Sequence, residues 1–313
     1  NAGSFENQRI LVIHSGGDSK RVPQYSACGK LFSPVPRVLP NGKRSTLFDE
    51  FMISMSGVAA RMNAGMLVCS GDVLLFNPLQ IDFYGKGAAA LSIKEPAEIG
   101  KNHGVYRVDS EGNVGGFLHK KTVEQLQKLG ASDDQGNVDI DTGAVIFNSE
   151  MLQALYQLVD TKEKFAAYVN ESTRLSFYAD FLYPLASDST LEQYYKETPE
   201  GDFTPELEQC RTELWSVLHP YQMKLIRMSP AAFIHFGTTK ELRELMTERM
   251  DEFYYLGWTS NINTNREEAD FAASNSYVSP NAEIGKGSYL EDCMIRNKSQ
   301  IGEECVISGV TLD

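Results

Sequence analysis

The sequence predicts a mixed, mainly parallel α/β sheet flanked by helices, followed by the first coils of a parallel β-helix. Two observations carry this. Short apolar runs that end in Gly or polar loops alternate with helical periodicities, the order expected of a sheet covered on both faces. Beyond residue 276, single apolar residues recur about every sixth position, the period of a solenoid. The 313 residues, 42% apolar and 23% charged, suffice for about two domains with a sizeable core. We place one at residues 1–260 and the opening of a second at 276–313.

The elements follow in order. Arg9–Ile13 is an apolar run opening into His14-Ser15-Gly16-Gly17, a strand-to-loop signal. Residues 15–44, rich in Gly, Pro, Ser, Lys and Arg, read as a long loop, and long loops inside domains are functional or disordered. Ser45-Thr46 caps the next helix, with Asp49 three residues after Thr46 as a partial capping box. Its stripe of Leu47, Phe48, Phe51, Met52, Met55, Ala59 and Met62 reads as core. Strands are expected at Met66–Cys69, Ala88–Ile93 and Ala144–Phe147. A hairpin is expected from Val105–Val108 to Val114–Leu118 across Asp109–Asn113, and a short helix at Met151–Leu158. Residues 160–260 read as more helical and aromatic, with Thr198–Glu208 an exposed connection and Leu242–Met250 a charged surface helix. In the tail Val278, Ile284, Leu290, Ile295, Ile301 and Ile307 step by six, six, five, six and six. Small residues (Ala282, Ser288, Ser299, Cys305) stand four places after most of them. The pattern is still open at Asp313, and a solenoid without a polar cap is expected to continue.

Net charge is −13, from 42 acids against 29 Lys and Arg. That excludes a duplex-wrapping protein or a polybasic membrane binder, and no apolar run has the length of a membrane span. Nucleic-acid and membrane partners are therefore not expected. Cys28, Cys69, Cys210, Cys293 and Cys305 are scattered, form no CxxC pair and have no zinc spacing. They read as free thiols of a cytoplasmic protein.

Against that acidity, Lys20, Arg21, Lys30, Arg37, Lys43 and Arg44 fall in one stretch without an acid. Gly16 and Gly17 let the backbone approach phosphate oxygens and donate N–H groups to them, while Lys and Arg neutralise a polyphosphate. The Walker loop is excluded because Leu31 follows Gly29-Lys30 and Gln24 stands where its first Gly belongs. The dinucleotide fingerprint is excluded because Ser19 and Val22 occupy its later Gly positions. By residues alone an ordinary Gly turn with solvated cations is the commoner meaning of such a stretch.

The segment His14-Ser-Gly-Gly-Asp-Ser-Lys-Arg-Val-Pro23, followed by Gly29-Lys30 and Pro34, resembles the phosphate loop of the sugar-1-phosphate nucleotidyltransferases. Its wording is most similar to the fucose-1-phosphate guanylyltransferases, including the guanylyltransferase half of bifunctional fucokinase/GDP-fucose pyrophosphorylases. The resemblance implies a nucleotidyltransferase-type sheet and a C-terminal left-handed β-helix. It implies Arg21 and Lys30 as catalytic groups on the triphosphate, and Gly16, Gly17 and Lys20 as nucleotide-binding residues. Cys69-Ser-Gly-Asp72 is similar to the family's Gly-Asp, which implies Asp72 as the Mg²⁺ carboxylate. Phe117-Leu-His-Lys-Lys121 places Lys120 on the sugar phosphate, Asp141-Thr-Gly143 resembles the sugar-touching motif, and His235-Phe-Gly-Thr238 resembles the motif of the second metal carboxylate. His119 departs from the family's Glu, and His235 from its acid, so either His235 contacts phosphate or sugar or another carboxylate serves as the second metal ligand. On their residues alone, Lys120-Lys121 reads equally as a solvated pair, His14 equally as a satisfied buried histidine, His235 more readily as core, and Asp180 equally as a cap or a sugar contact.

The reaction implied is GTP plus fucose-1-phosphate giving GDP-fucose and pyrophosphate, with Mg²⁺ as cofactor. The alternatives are a mannose- or glucose-1-phosphate enzyme, or a non-catalytic regulatory homologue. A kinase half, if the parent is bifunctional, lies beyond Asp313.

Overall fold

The computed structural model describes residues 4–15, 19–76, 81–119, 121–229, 231–266 and 270–313. It divides into two compact units, each assembled from separated stretches. The first holds Asn1–His14, Met55–Ser70 and Leu75–Phe233, and the second holds Ser15–Ser54, Gly71–Leu74 and Ile234–Asp313.

The first unit is built on a mixed seven-stranded sheet. Its strands are β1 (Arg9–His14), β2 (Gly65–Ser70), β3 (Ala88–Pro96), β4 (Gly104–Val108), β5 (Val114–His119), β6 (Asn137–Asn148) and β7 (Met223–Arg227). The order along the main path is β1-β2-β6-β3-β7. β1 runs parallel to β2 and β3 parallel to β7, and β6 is inserted antiparallel to both of its neighbours. The apolar runs become buried strands: Ala88 to Leu91 and Ala144 to Ile146 are completely enclosed. β4 and β5 form the expected hairpin, in which the Asp109 N–H reaches the Asn113 carbonyl and Gly112 takes φ +80° at the turn. Helices cover the sheet and start where the sequence supplies caps. Thr122, Asn148, Thr161, Thr190 and Thr204 each accept a backbone N–H of the first turn. Pro205–Leu218 is therefore a helix that takes up the end of the segment expected as an exposed connection; Pro205 suits its first turn.

The second unit corrects the loop expected at 15–44. It contains two tight turns, Pro23–Tyr25 and Lys30–Phe32, and an antiparallel pair of Pro34–Val38 with Arg44–Thr46. The cap is a full box: the Asp49 carboxylate accepts the Thr46 N–H at 2.9 Å and the Thr46 hydroxyl accepts the Asp49 N–H at 3.3 Å. That helix ends at Met55, before Gly57, rather than running on to Met62. Leu47 and Phe51 are enclosed, but Phe48 and Met52 face solvent, so a helix of nine residues buries a narrower stripe than the periodicity suggests. Thr239–Thr247 likewise is only half a surface helix, since Leu242, Leu245 and Met246 are buried.

The tail of this unit is a stack of short parallel strands in three ladders that begin at Asn261. Partners lie 17 residues apart: Tyr277 faces Met294, Ile284 faces Ile301 and Leu290 faces Ile307. The apolar steps seen in sequence all join one core, with Val278, Leu290 and Ile295 fully buried and Ile284, Ile301 and Ile307 packed on them. Left-handed backbone recurs at the corners, at Asn275, Asp292 and Gly309. Short polar residues and Gly tolerate that conformation best. Among the described residues no helix is long and apolar enough to cross a membrane.

Candidate functional site

Chemistry-bearing residues collect in both units. In the second unit, Asp72 follows the end of β2 by two residues, and its carbonyl accepts the Phe236 N–H at 2.8 Å. This sets Asp72 beside the segment from Ile234 to Thr238. Lys30 opens its turn after Gly29, and its Nζ lies 3.1 Å from Asp72 Oδ2 and 3.2 Å from the Gly237 carbonyl. Its side chain is only 15% exposed, so it is not the solvated cation of the plain sequence reading. His235 presents Nε2 at 3.8 Å from Asp72 Oδ2 and Nδ1 at 3.2 Å from Glu241 Oε1. It is partly exposed between two carboxylates, which corrects its reading as a core histidine. The other Glu241 oxygen accepts the Thr238 hydroxyl at 3.0 Å, and Thr238 caps the helix that carries Glu241. Burial alone would raise the Glu241 carboxyl; the hydrogen bond and charge of His235, with the bonds from Thr238, bring it down to about 2. Gly237 is required by the imidazole, because a Cβ there would meet His235 Cε1 at 2.1 Å.

The remaining cations of the basic stretch divide. Arg37 pairs with buried Glu50 and Arg44 with Asp292, so a stretch that lacks acids in sequence does not lack them in space. Lys20 and Arg21 are exposed, and the Arg21 carbonyl is fixed by the Thr239 N–H and hydroxyl at 2.9 and 3.0 Å. The whole stretch is tied to the ladders: Tyr25 donates to the buried carboxylate of Glu291 at 2.7 Å, and Arg44 donates to Ser274 at 3.0 Å. Gly16 and Gly17 lie outside the described residues, as does Lys120.

In the first unit a pocket of about 480 Å³ lies at the end of β1 and β2. His14, Ser70, Gly143, Tyr178 and Glu200 give it polar groups, and Val68, Phe177 and Phe181 give it an apolar side. His14 is exposed at the strand end, not a buried histidine. β6 bulges here, and Gly143 takes φ +69° with so little room that a Cβ would stand 2.8 Å from that of Ser70. Asp141 holds the bulge from within: its Oδ1 accepts the Tyr106 hydroxyl at 2.8 Å and the Gly143 N–H at 2.9 Å. Burial raises its carboxyl above the ordinary range, against the pull of those bonds. Tyr178 stacks on Phe117, with ring centres 5.4 Å apart, and belongs to a wide π-turn, Phe177–Leu182, a distortion frequent at functional sites. Asp180, in the same turn, forms a fully buried pair with Arg211 at 2.7 Å, which assigns it to the framework rather than to a ligand. A larger cavity of about 580 Å³ is lined mostly by apolar side chains such as Ile10, Met66, Leu155 and Leu214, with Asn170 and Arg174 also on its wall.

From sequence no role was expected of Glu241 or Tyr178, and Ser70 and Gly237 stood out only as positions within the Cys69–Asp72 and His235–Thr238 motifs. Glu241 was visible as Thr-x-x-Glu, whose ordinary meaning is a helix cap.

Residues 2–313 match the family described as the fucose pyrophosphorylase domain. The chain belongs to that family. It is 26% identical to a fucose-1-phosphate guanylyltransferase of Homo sapiens over 96% of this chain and 54% of that protein. It is also 26% identical to a bifunctional fucokinase/GDP-fucose pyrophosphorylase of Arabidopsis thaliana, over 75% of this chain and 23% of that protein. The chain thus spans about half the length, or less, of the curated relatives it matches.

For a cation, Asp72 and His235 offer one carboxylate oxygen and one imidazole nitrogen. Among the described residues no three Asp, Glu, His or Cys side chains are arranged so that they could hold a metal ion by themselves. A pair of this kind fits a divalent ion whose other positions are taken by phosphate oxygens and water.

Proposed function

We propose that this chain transfers guanylate from GTP to fucose-1-phosphate, giving GDP-fucose and pyrophosphate. The sugar phosphate brings its own anionic nucleophile. One of its oxygens attacks the α-phosphorus, the bond from that phosphorus to the α,β-bridging oxygen breaks, and the electron pair leaves with pyrophosphate. No protein base or covalent nucleophile is needed, and catalysis is positioning and charge neutralisation.

The observation that carries this reading is the Lys30–Asp72 pair, in which a lysine of the Gly- and Pro-rich stretch stands 3.1 Å from a carboxylate two residues past the end of β2. Lys30, with Arg21 and Lys20, acts on the triphosphate and stabilises the departing pyrophosphate. Gly16 and Gly17 are assigned to the nucleotide on the sequence resemblance alone. Asp72 holds Mg²⁺, which supplies charge neutralisation at the phosphates. Gly143, positioned by Asp141, serves the sugar, Lys120 its phosphate, and His235 the phosphate or cation. We read residues 1–260 as the nucleotidyltransferase part and 276–313 as the opening of a hexapeptide β-helix. Five free cysteines, three of them buried, support a cytoplasmic setting.

The test is a pyrophosphate-release screen crossing four nucleoside triphosphates with several sugar-1-phosphates. Turnover confined to GTP and fucose-1-phosphate is expected. Turnover with mannose- or glucose-1-phosphate instead moves the assignment to another sugar. A folded chain that binds nucleotide without release in any combination supports a binding-only role, which the imidazole at the second metal position favours.

A further inference from the structure

We infer that His235, oriented by Glu241, is a nitrogen ligand that tilts the Asp72 position toward first-row transition ions over Mg²⁺. The inference rests on the reading of Asp72 as the cation-holding carboxylate. Histidines that bind metals donate their second ring N–H to a carboxylate, which fixes the ring and makes the ligating nitrogen more basic. His235 has this arrangement: Nδ1 faces Glu241 at 3.2 Å and Nε2 faces Asp72 at 3.8 Å. Two donors each about 2.1 Å from one ion stand about 3.0 Å apart when adjacent and about 4.2 Å when opposite; the observed 3.8 Å lies between the two, and a side-chain shift of about 0.4–0.8 Å lets one ion bridge them. The ring is fixed from other sides too. Gly237 lies against it, and Thr238 holds the second oxygen of Glu241. An imidazole suits transition ions, whereas Mg²⁺ prefers oxygen.

Mn²⁺ is the probe because its spin reports a bound nitrogen. Lys30 stands 3.1 Å from the same Asp72 oxygen, so Mn²⁺ is added with α,β-methylene-GTP, whose triphosphate draws the lysine and does not react. Spin-echo modulation of the full chain should show a ¹⁴N coupling that His235→Asn removes. Competition with Mg²⁺ should show tighter Mn²⁺ binding in the unaltered chain. Glu241→Gln should weaken Mn²⁺ about 10- to 100-fold while leaving Mg²⁺ within about threefold. Gln still serves the capping box, so an unchanged melting temperature separates orientation from folding. His235→Asp should reverse the preference toward Mg²⁺.

A ¹⁴N coupling that persists in His235→Asn, or no coupling with Mn²⁺ bound, overturns the inference. So does Mn²⁺ binding unaltered by Glu241→Gln. If Asp72→Asn binds Mn²⁺ as the unaltered chain does, the Asp72 reading falls and the inference with it. A negative pyrophosphate screen beside a positive nitrogen signature removes the proposed reaction and leaves the cation site standing.

Discussion

Lys30→Ala is the substitution that most sharply separates a phosphate-binding lysine from a structural one. The change removes two contacts, to Asp72 Oδ2 at 3.1 Å and to the Gly237 carbonyl at 3.2 Å. A hydrogen bond to a charged group contributes about 1.5–3 kcal/mol net. The side chains keep 15% and 22% exposure, and ordering a lysine costs entropy, so the loss should fall to about 1–2 kcal/mol. In a chain of this size that lowers Tm by about 1.5–3 °C. Transition-state charge stabilisation is larger: losing one such donor should reduce kcat/KM for GTP by about 2–4 kcal/mol, roughly 30- to 1,000-fold. Arg21→Ala is the internal contrast. Its side chain is exposed and its fixed group is the backbone carbonyl, so Tm should stay within about 1 °C while kcat/KM falls comparably. On the proposed reading both cations serve one polyphosphate, so the double variant should lose less than the sum. The assay is steady-state pyrophosphate release beside melting curves. A Lys30→Ala protein with the lowered Tm and normal kinetics would refute the catalytic assignment and leave a structural tie.

Three further outcomes are expected. Asp72→Asn should cut turnover at least about a hundredfold and abolish its dependence on divalent cation; near-normal, cation-dependent turnover would remove Asp72 from the cation site. Tyr25→Phe deletes the hydroxyl that donates to buried Glu291, and should destabilise by about 1–3 kcal/mol in urea unfolding with an unchanged m value; no loss would show that the Tyr25–Glu291 contact does not hold the basic stretch to the ladders. Asp141 has its folded carboxyl raised by burial, so its protonated form is favoured in the folded chain. Its contribution is fully present below the unfolded value, near about pH 3.9, and is lost as pH rises through the folded value. Asp141→Asn keeps an acceptor for Gly143 without titrating, so the unaltered chain should lose stability relative to this variant over that window. A flat or opposite difference across a pH series would mean that burial does not dominate at Asp141.

What was legible in the sequence depended on how far each interaction reaches along the chain. β1 and β2 were visible because each is one apolar run ended by polar or Gly residues. The tail was visible because its steps of six, six and five return every 17 residues, the separation of the paired strands. The Thr46–Asp49 box needs only three residues. The basic stretch was read on the same local scale, and there locality misleads. Its acid-free composition suggested cations turned to a ligand, yet Arg44 is paired with an acid 248 residues away and Tyr25 with one 266 residues away. An acidic chain has carboxylates to bring to any basic segment, so an inversion of charge in sequence predicts ion pairs as readily as a phosphate site. The distinguishing feature is the partner. Glu50 is enclosed, and Asp292 lies on the strand stack beside Asn275, so Arg37 and Arg44 hold framework. Asp72 instead sits with His235, Glu241 and the Gly237 carbonyl, polar groups too many and too varied for one lysine to require. Lys30 is therefore the cation of the stretch whose partner has chemistry of its own. That distinction needs the fold, since Lys30, Asp72 and His235 come from three separate segments of the chain.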